Sequence, residues 1–471
     1  MSLELVPAPE TAAAVRAALL ADYPATDLGN AERFAAACVS RLRYCPTQGQ
    51  WYRWTGTRWR ADDTRHAERL AQEVVREIYQ QVPHVADATQ RRALARWAAQ
   101  SEGYARLKAL VDLAGSQITL VVRVADLDAD PWLLATPDGT VDLRTGSLRP
   151  AEREDLLTHS TGVSLHPDAT APRWDRFLAQ VLPDPDVRAY LQRAAGYSLT
   201  GRVSEQALLF LHGTGANGKS VFLNTLRAVW GDYAALIPSE LLVAPTDDAS
   251  AQSRATLQGL RLAQSVETED GRRLREATVK AITSAEPILA RRLYHDMYAF
   301  TPTHTLWLAS NHRPLVRGTD IGLWRRIHLV PWTVTIPDTD QIPDLEQHLV
   351  ATEGPGILAW AVQGCLAWQQ TRLCAPPAVR AAVDQYRASQ DVLGAFLDDR
   401  CAAVPGWREV RVGELYNALC AAEGEKPGGI RSARDLGERL RERGIDIEKR
   451  GTKSYIVGYK LMTVENEPSY S

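Results

Sequence analysis

Apolar positions in the first quarter of the chain recur with helical spacing, and shorter apolar runs follow. Helices are predicted over residues 31–43, from Thr64 onward and within residues 86–114. A tryptophan-rich segment, residues 51–59, brackets a Thr-Gly turn and predicts a small hairpin that packs on these helices. Pro-Asp-Gly and Arg-Thr-Gly turn signals then separate short strands within residues 131–149, which predicts a β-meander.

Helices and apolar strands alternate in the middle of the chain, as in an α/β fold. Two helices over residues 174–182 and 186–197 form a predicted collar, and a helix over residues 354–370 follows a strand-rich segment. After Pro376 and Pro377 a helix is predicted over residues 378–389. Three helices over residues 392–401, 412–423 and 432–443 and a strand pair around residues 450–453 then follow in the order of a winged helix. The predicted units are a mainly helical N-terminal domain (1–130), the meander and collar (131–200), an α/β domain (201–375) and a winged-helix domain (376–471).

Length and composition are typical of a globular protein with several domains. A chain of 471 residues is too long for one hydrophobic core, and 45% of its residues are hydrophobic and 24% charged. No apolar stretch approaches the roughly 20 residues that cross a bilayer, and the N-terminus lacks the basic and apolar parts of a signal peptide. Six cysteines without Cys-x-x-Cys spacing indicate neither a zinc ribbon nor a disulfide framework. We therefore expect no membrane partner.

Residues 213–220 read Gly-Thr-Gly-Ala-Asn-Gly-Lys-Ser, which is a complete P-loop sequence. An apolar run, residues 207–211, precedes it and a helical pattern follows, so the context is strand, loop and helix. The glycines allow backbone N–H groups to curl around phosphate oxygens, with Lys219 at the β- and γ-phosphates and Ser220 on Mg²⁺. ATP and Mg²⁺ are therefore the predicted cofactors. The predicted nucleotide-binding residues are Gly213, Thr214, Gly215, Ala216, Asn217, Gly218, Lys219, Ser220 and Val221.

An acidic sequence follows one helix later, at the end of an apolar strand. On a strand, Glu267 and Glu269 would share one face. Hydrolysis needs one carboxylate near Mg²⁺ and another that orients the attacking water, and Glu267 is the predicted metal ligand beside Ser220. A later buried strand delivers Asn311, which is placed to hydrogen-bond the γ-phosphate or the water.

Two arginines, Arg325 and Arg326, precede another apolar strand. Either is a candidate arginine finger that enters the site of a neighbouring subunit and stabilises transition-state charge. The alternative is a surface ion pair, which contributes about 0–1 kcal/mol. The predicted catalytic set is Lys219, Glu267, Glu269, Asn311, Arg325 and Arg326.

The ordered set of P-loop, Glu-Thr-Glu, Leu-Ala-Ser-Asn-His and Trp-Arg-Arg resembles the superfamily 3 helicases of the phage and plasmid primase–helicase family. Residues 139–146, 280–294 and 317–320 also match that pattern, and the resemblance covers most of the chain. It implies an α/β fold with an AAA+-like P-loop core, an α/β N-terminal domain, a helical collar and a C-terminal winged helix. It also implies a ring, usually a homo-hexamer, that hydrolyses ATP and pulls single-stranded DNA 3′ to 5′ through its pore. The expected location is the cytoplasm of a bacterial host.

The resemblance also implies DNA contacts on a hairpin between the acidic strand and the Asn311 strand, over residues 288–294 and 298–303. The formal net charge of −3 gives no global signal for nucleic acid. Several copies of one or two basic residues around a pore would nevertheless make a charged channel. The predicted DNA-binding residues are Lys280, Arg291, Arg292, Tyr294 and His295.

The sequence departs from the family in two respects. Residues 284–286, Ser-Ala-Glu, stand where many relatives have Gly-Gly-Asp. No primase domain with its own carboxylate cluster is expected, so a separate primase or other replication proteins are expected partners. Two alternatives stay open: an origin- or DNA-binding initiator in which ATP drives assembly, and a non-helicase AAA+ remodelling ATPase.

Overall fold

The computed structural model describes residues 23–243, 251–267, 269, 271–293, 296–316, 321–424, 427 and 430–462. Its N-terminal region packs four helices and a three-stranded antiparallel sheet together. Phe34, Leu70 and Leu110 are buried where three of these helices meet. The elements are α1 (Asp27–Cys38), β1 (Leu42–Cys45), β2 (Gln50–Trp54), β3 (Trp59–Ala61), α2 (His66–Gln81), α3 (Ala88–Ser101) and α4 (Tyr104–Ala114).

The predicted helix over residues 31–43 is wrong at its C-terminal end. α1 ends at Cys38. Leu42 and Arg43 instead lie on β1, which pairs antiparallel with β2 of the tryptophan-rich hairpin. Apolar residues continue with helical spacing past Cys38, so the periodicity alone does not reveal the strand that pairing with β2 stabilises.

The predicted meander is present and leads into two helices. β4 (Leu133–Thr136), β5 (Gly139–Asp142) and β6 (Ser147–Arg149) pair antiparallel in that order. α5 (Pro172–Val181) and α6 (Pro185–Tyr197) follow. Each helix begins at a proline, whose fixed φ suits the first turn of a helix.

A five-stranded parallel sheet forms the centre of the molecule. Its strands are β7 (Leu208–His212), β8 (Ala234–Leu236), β9 (Leu262–Glu267), β12 (Thr305–Ser310) and β13 (Ile327–Pro331). They lie in the order β13-β7-β12-β9-β8, and each neighbouring pair is parallel. Because carboxyl ends of parallel strands meet at one edge, the loops that follow β7, β12 and β9 lie close together.

The helices around this sheet bury both of its faces. Leu209 and Leu211 of β7 point into one core, and Leu208 and Phe210 point into the other. The remaining elements of this region are α7 (Lys219–Trp230), α8 (Ala251–Ala255), α9 (Glu276–Ile282), the hairpin β10 (Ile288–Arg291) and β11 (Met297–Phe300), α10 (Ile321–Trp324), α11 (Leu345–Thr371) and α12 (Pro377–Gln390).

α11 is longer than the predicted helix over residues 354–370 and contains Pro355. It packs against α6 through two glycines. A Cβ atom on Gly196 would lie 2.0 Å from the Cys365 backbone nitrogen, and one on Gly364 would lie 2.0 Å from the Gln192 carbonyl oxygen. Backbone therefore touches backbone where the two helices cross.

The C-terminal region has its own core, formed around Leu415, Leu436 and Ile456. Three helices precede a two-stranded hairpin, in the predicted order. The elements are α13 (Val392–Arg400), β14 (Cys401–Ala403), α14 (Val412–Glu423), α15 (Ala433–Glu442), β15 (Ile447–Arg450), β16 (Lys453–Ile456) and β17 (Tyr459–Leu461). Its assignment as a winged helix stays a prediction.

Candidate functional site

The P-loop connects β7 to α7 through a tight turn. Gly215 and Gly218 have φ values of 109° and 84°, in the region that favours glycine. A Cβ atom on Gly213 would lie 2.1 Å from the Trp332 carbonyl oxygen. In the part of the chain that the structure describes, the backbone N–H groups from Thr214 to Gly218 donate no hydrogen bond. Successive free N–H groups in a turn of this kind suit a phosphate group.

Lys219 is held at the mouth of this loop by three oxygen atoms. Its Nζ donates hydrogen bonds to Gly213 O at 2.7 Å, to Asn217 Oδ1 at 3.0 Å and to Asn311 Oδ1 at 3.1 Å. The residue is 5% exposed, and no carboxylate of the described chain forms an ion pair with it. Burial lowers the pKa of Lys219 to about 8. An anionic ligand would supply the missing countercharge.

The acidic strand reaches the same edge of the sheet. Ser310 of β12 is paired with Glu267 of β9 on one side and with His212 of β7 on the other. Glu267 is 6% exposed, and its Oε1 accepts a hydrogen bond from the Glu269 backbone nitrogen at 2.8 Å. Because Asn311 follows Ser310 directly, an amide lies between an ammonium and a carboxylate at this edge.

The prediction that Glu269 shares a strand face with Glu267 is wrong. β9 ends at Glu267, and Glu269 lies outside the strand. The Glu269 carboxylate is exposed and pairs with Arg272, whose Nε lies 2.7 Å from Oε2. Glu269 therefore lies in an exposed local ion pair, whereas Glu267 is buried at the end of β9.

Ser220 and Val221 occupy the first turn of α7, where Ser220 is exposed and Val221 is half-buried. The described residues contain no group of three or more His, Cys, Asp or Glu side chains that could hold a metal by themselves. Magnesium in nucleotide sites needs only one or two protein groups together with phosphate oxygens and water. Ser220 and Glu267 therefore fit as its protein ligands.

The two candidate arginine fingers have different environments. Arg325 is exposed, and its Nη2 donates a hydrogen bond to Gln206 Oε1 at 3.1 Å. Arg326 is 8% exposed, and its guanidinium donates to Thr283 Oγ1 at 3.1 Å and to Gly322 O at 2.5 Å. Only Arg325 is therefore oriented to reach another molecule without breaking contacts in the interior.

Three of the predicted DNA-binding residues, Lys280, Arg291 and Arg292, are described by the structure and lie on α9 and the β10–β11 hairpin. Arg291 and Arg292 are exposed, and Arg292 Nη2 donates to Gln258 Oε1 at 3.1 Å. Lys280 is half-buried on α9. Tyr294 and His295 lie outside the described residues, as does the 317–320 sequence that matches the family pattern.

Sequence reasoning overlooked a positive side chain beside the P-loop. Arg313 follows Asn311 by two residues, its guanidinium lies 5.9 Å from the Tyr386 ring centroid, and its Nε is buried without a hydrogen-bond partner. Burial, followed by the charges of Arg313 and Lys219, lowers the pKa of His212 to about 4. No motif in the sequence marks Arg313, which lies three residues after the end of β12.

Two family models match parts of this chain. Residues 31–183 match a family model described as D5 N terminal like, and residues 211–326 match a family of unknown function, DUF5906. The second match extends from β7 to Arg326 and so contains the whole candidate site.

Related proteins come from large DNA viruses. A candidate helicase of Acanthamoeba polyphaga mimivirus is 28% identical and aligns with 44% of this chain and 22% of its own length. A candidate helicase of Frog virus 3 is 24% identical and aligns with 47% of this chain and 25% of its own length. A candidate primase of African swine fever virus is 23% identical and aligns with 60% of this chain and 32% of its own length. The chain thus spans less than a third of the length of these relatives. They infect eukaryotes, which gives no support to the expected bacterial host.

A solved structure, the C-terminal region of NrS-1, shares the fold. It superposes with a TM-score of 0.50 and 8% identity, and the match covers 88% of this chain and 96% of that one. Among the described helices, none combines the length and the apolar character required to cross a membrane.

Proposed function

We propose that this chain, which resembles the C-terminal region of D5-like primase–helicases, is an ATP-driven motor that translocates on single-stranded DNA during replication. Relatives named as helicases and primases support a role in replication. The motor itself is supported by the convergence of Lys219, Asn311 and Glu267 at one edge of the parallel sheet.

ATP and Mg²⁺ fit the residues at this edge. The free backbone N–H groups of the P-loop and the uncompensated Lys219 ammonium suit the phosphates. Ser220 and Glu267 would hold Mg²⁺, which, when bound, neutralises charge that develops on the phosphates. Asn311 would orient the terminal phosphate or the attacking water.

A ring of subunits is part of the proposal because the predicted arginine finger of one subunit would act in the site of its neighbour. Arg325 is exposed and follows α10, which precedes β13 directly. In a ring, Arg325 of one subunit would enter the site of the next and stabilise the charge that develops there. A homo-hexamer is the expected assembly, and a separate primase would provide primers.

The β10–β11 hairpin would contact the DNA strand. Arg291 and Arg292 are exposed beside Met297, which is itself 51% exposed. Repeated around a ring, these cations would line a positive channel even though the chain is acidic overall, at −3. We expect movement in the 3′ to 5′ direction.

Strand displacement on substrates with a 3′ or a 5′ single-stranded tail tests the proposal. The wild-type protein should separate the 3′-tailed substrate with ATP and Mg²⁺, and Glu267→Gln should bind ATP but displace no strand. Normal replication activity with Glu267→Gln would instead support an initiator in which ATP only drives assembly. DNA-stimulated hydrolysis without displacement of either tail would favour a remodelling ATPase.

A further inference from the structure

A groove on the C-terminal region separates α15 and the start of α14 from the β15–β16 hairpin. Its volume is about 580 Å³. Four cations line it, namely Arg411, Arg434, Arg441 and Lys453, and they come from α15, the hairpin and the residue before α14. Asn417 adds an amide. The groove is therefore lined by hydrogen-bond donors from three separate elements.

The charge in the groove is not balanced locally. Glu414 is the only carboxylate among its lining residues in the described chain, and it is already engaged by Arg411, whose backbone nitrogen donates to Oε2 at 3.3 Å. Arg441 and Lys453 form no ion pair within the part of the chain that the structure describes. Three positive charges thus face the groove without a full complement of carboxylates.

The positive charge of the groove comes from the positions of its basic residues, because the C-terminal region as a whole is nearly neutral. Residues 391–462 contain 13 Lys and Arg against 12 Asp and Glu. Arg434 is 90% exposed in its side chain, and its pairing with Glu438 at 3.4 Å is a surface contact. The groove is therefore positively charged although the C-terminal region as a whole has almost no net charge.

The exposed surface of α15 divides into two parts. Arg434 and Arg441 are two turns apart and share the stripe that borders the groove, while Leu436 and Leu440 face the core. The middle of the exposed surface carries Glu438 and other acids instead. Phosphates would be repelled from that acidic surface and attracted to the groove beside it.

We propose that this groove binds the phosphate backbone of duplex DNA. The contact is independent of sequence, because arginine, lysine and amide donors reach phosphate oxygens rather than base edges. The phosphate contact lies between α15 and the β15–β16 hairpin. The middle of the exposed surface of α15 does not enter the major groove, because Glu438 and the other acids there would face the phosphates. On the proposed function, the motor would bind the single strand and this groove the adjoining duplex.

Duplex binding measured by fluorescence anisotropy, without ATP, tests this site apart from the motor. The variant Arg434→Gln/Arg441→Gln/Lys453→Gln removes three groove cations. A control with the same loss of charge is Arg400→Gln/Arg408→Gln/Lys460→Gln, whose residues lie in the same region but outside the groove. Both variants should unfold in urea as the wild type does, since all six side chains are on the surface.

The groove variant should bind a short blunt duplex more than tenfold more weakly at constant salt, and the control less than threefold. Its slope of log affinity against log salt concentration should fall by about 2.7, because each lost phosphate contact changes the slope by about 0.9. Equal losses in the two variants, or an unchanged slope, would overturn the proposal. So would a groove variant that binds duplex normally but no longer binds poly-glutamate, which would identify an acidic protein as the occupant.

Discussion

The Lys219 ammonium donates a hydrogen bond to the Asn311 side-chain oxygen across 3.1 Å, which joins the P-loop to the end of the neighbouring strand. Both groups are expected to contact phosphate, so they hold each other in position before a nucleotide arrives. A bound phosphate would draw the ammonium toward itself and release the Asn311 amide.

Burial of this charge without a carboxylate should make the nucleotide-free protein less stable than Lys219→Met at neutral pH. The pKa of Lys219 is about 8 in the folded protein against 10.5 for a free lysine, a difference that corresponds to at most about 3 kcal/mol. Below pH 8 Lys219 is protonated in both the folded and the unfolded protein, so the full free-energy cost of burying its charge is present. From pH 8 to 10.5 only the unfolded chain keeps the proton, so the wild type gains stability relative to the variant. Urea unfolding of both proteins from pH 7 to 10.5 measures this gain. A difference in free energy of unfolding that stays constant over this range would contradict the prediction.

Lys219→Met should also lose ATP hydrolysis.

Replacement of the two acids should have unequal effects. Glu267→Gln should lower the rate of ATP hydrolysis by at least about 100-fold, because it removes the buried carboxylate beside Ser310. Glu269→Gln is the matched variant and should have a smaller effect, since Glu269 is exposed and paired with Arg272. Steady-state hydrolysis with DNA present compares them, and nucleotide binding is the control. A larger loss with Glu269→Gln would reverse the assignment.

The adjacent arginines should separate into a functional and a structural residue. Arg325→Ala should leave the urea midpoint unchanged and reduce hydrolysis in the assembled protein by about 10³-fold or more. Arg326→Ala should lower the free energy of unfolding by about 3 kcal/mol, because it removes charged hydrogen bonds to Thr283 and Gly322. Mixing Arg325→Ala with Lys219→Met should restore some hydrolysis if the arginine acts across subunits. No recovery at any ratio would argue for a role within one subunit.

The crossing of α6 and α11 should not tolerate a methyl group. Gly196→Ala would place Cβ 2.0 Å from the Cys365 backbone nitrogen, so the helices must separate, at a cost of about 1–3 kcal/mol or more. Gly413→Ala on α14 is the control, because nothing lies within 4 Å of its Cβ position. That change should stabilise α14 by about 0.5–1 kcal/mol. Chemical denaturation of the two variants should therefore show shifts of opposite sign.

The sequence predicts those parts of the fold that local patterns encode. The P-loop lies between a strand and a helix as predicted, the meander follows its two turn signals, and α14 has the predicted bounds, residues 412–423. β1 was missed because its stability comes from pairing with β2. α11 was predicted too short because Pro355 is tolerated within a helix that packs against α6.

Within the candidate site, the residues that local motifs mark could be predicted, and those whose position depends on the fold could not. Lys219, Glu267 and Asn311 follow from motifs at strand ends, whose convergence requires only parallel neighbours. Glu269 was misplaced because β9 ends at Glu267, and the exposed Glu269 carboxylate pairs with Arg272 instead. Arg325 and Arg326 have the same sequence signal and differ only in burial, which depends on Thr283, over forty residues away. Arg313 carries no motif, and only the fold brings its charge near His212.

Arg261, immediately before β9, ties the sheet to the meander. Its buried guanidinium donates to the Leu199 carbonyl oxygen at 2.6 Å and to the Leu133 carbonyl oxygen at 2.7 Å, and it covers the Tyr233 ring at 4.4 Å. If β9 were displaced during a nucleotide cycle, the Arg261 side chain would therefore transmit the displacement directly to β4, which contains Leu133.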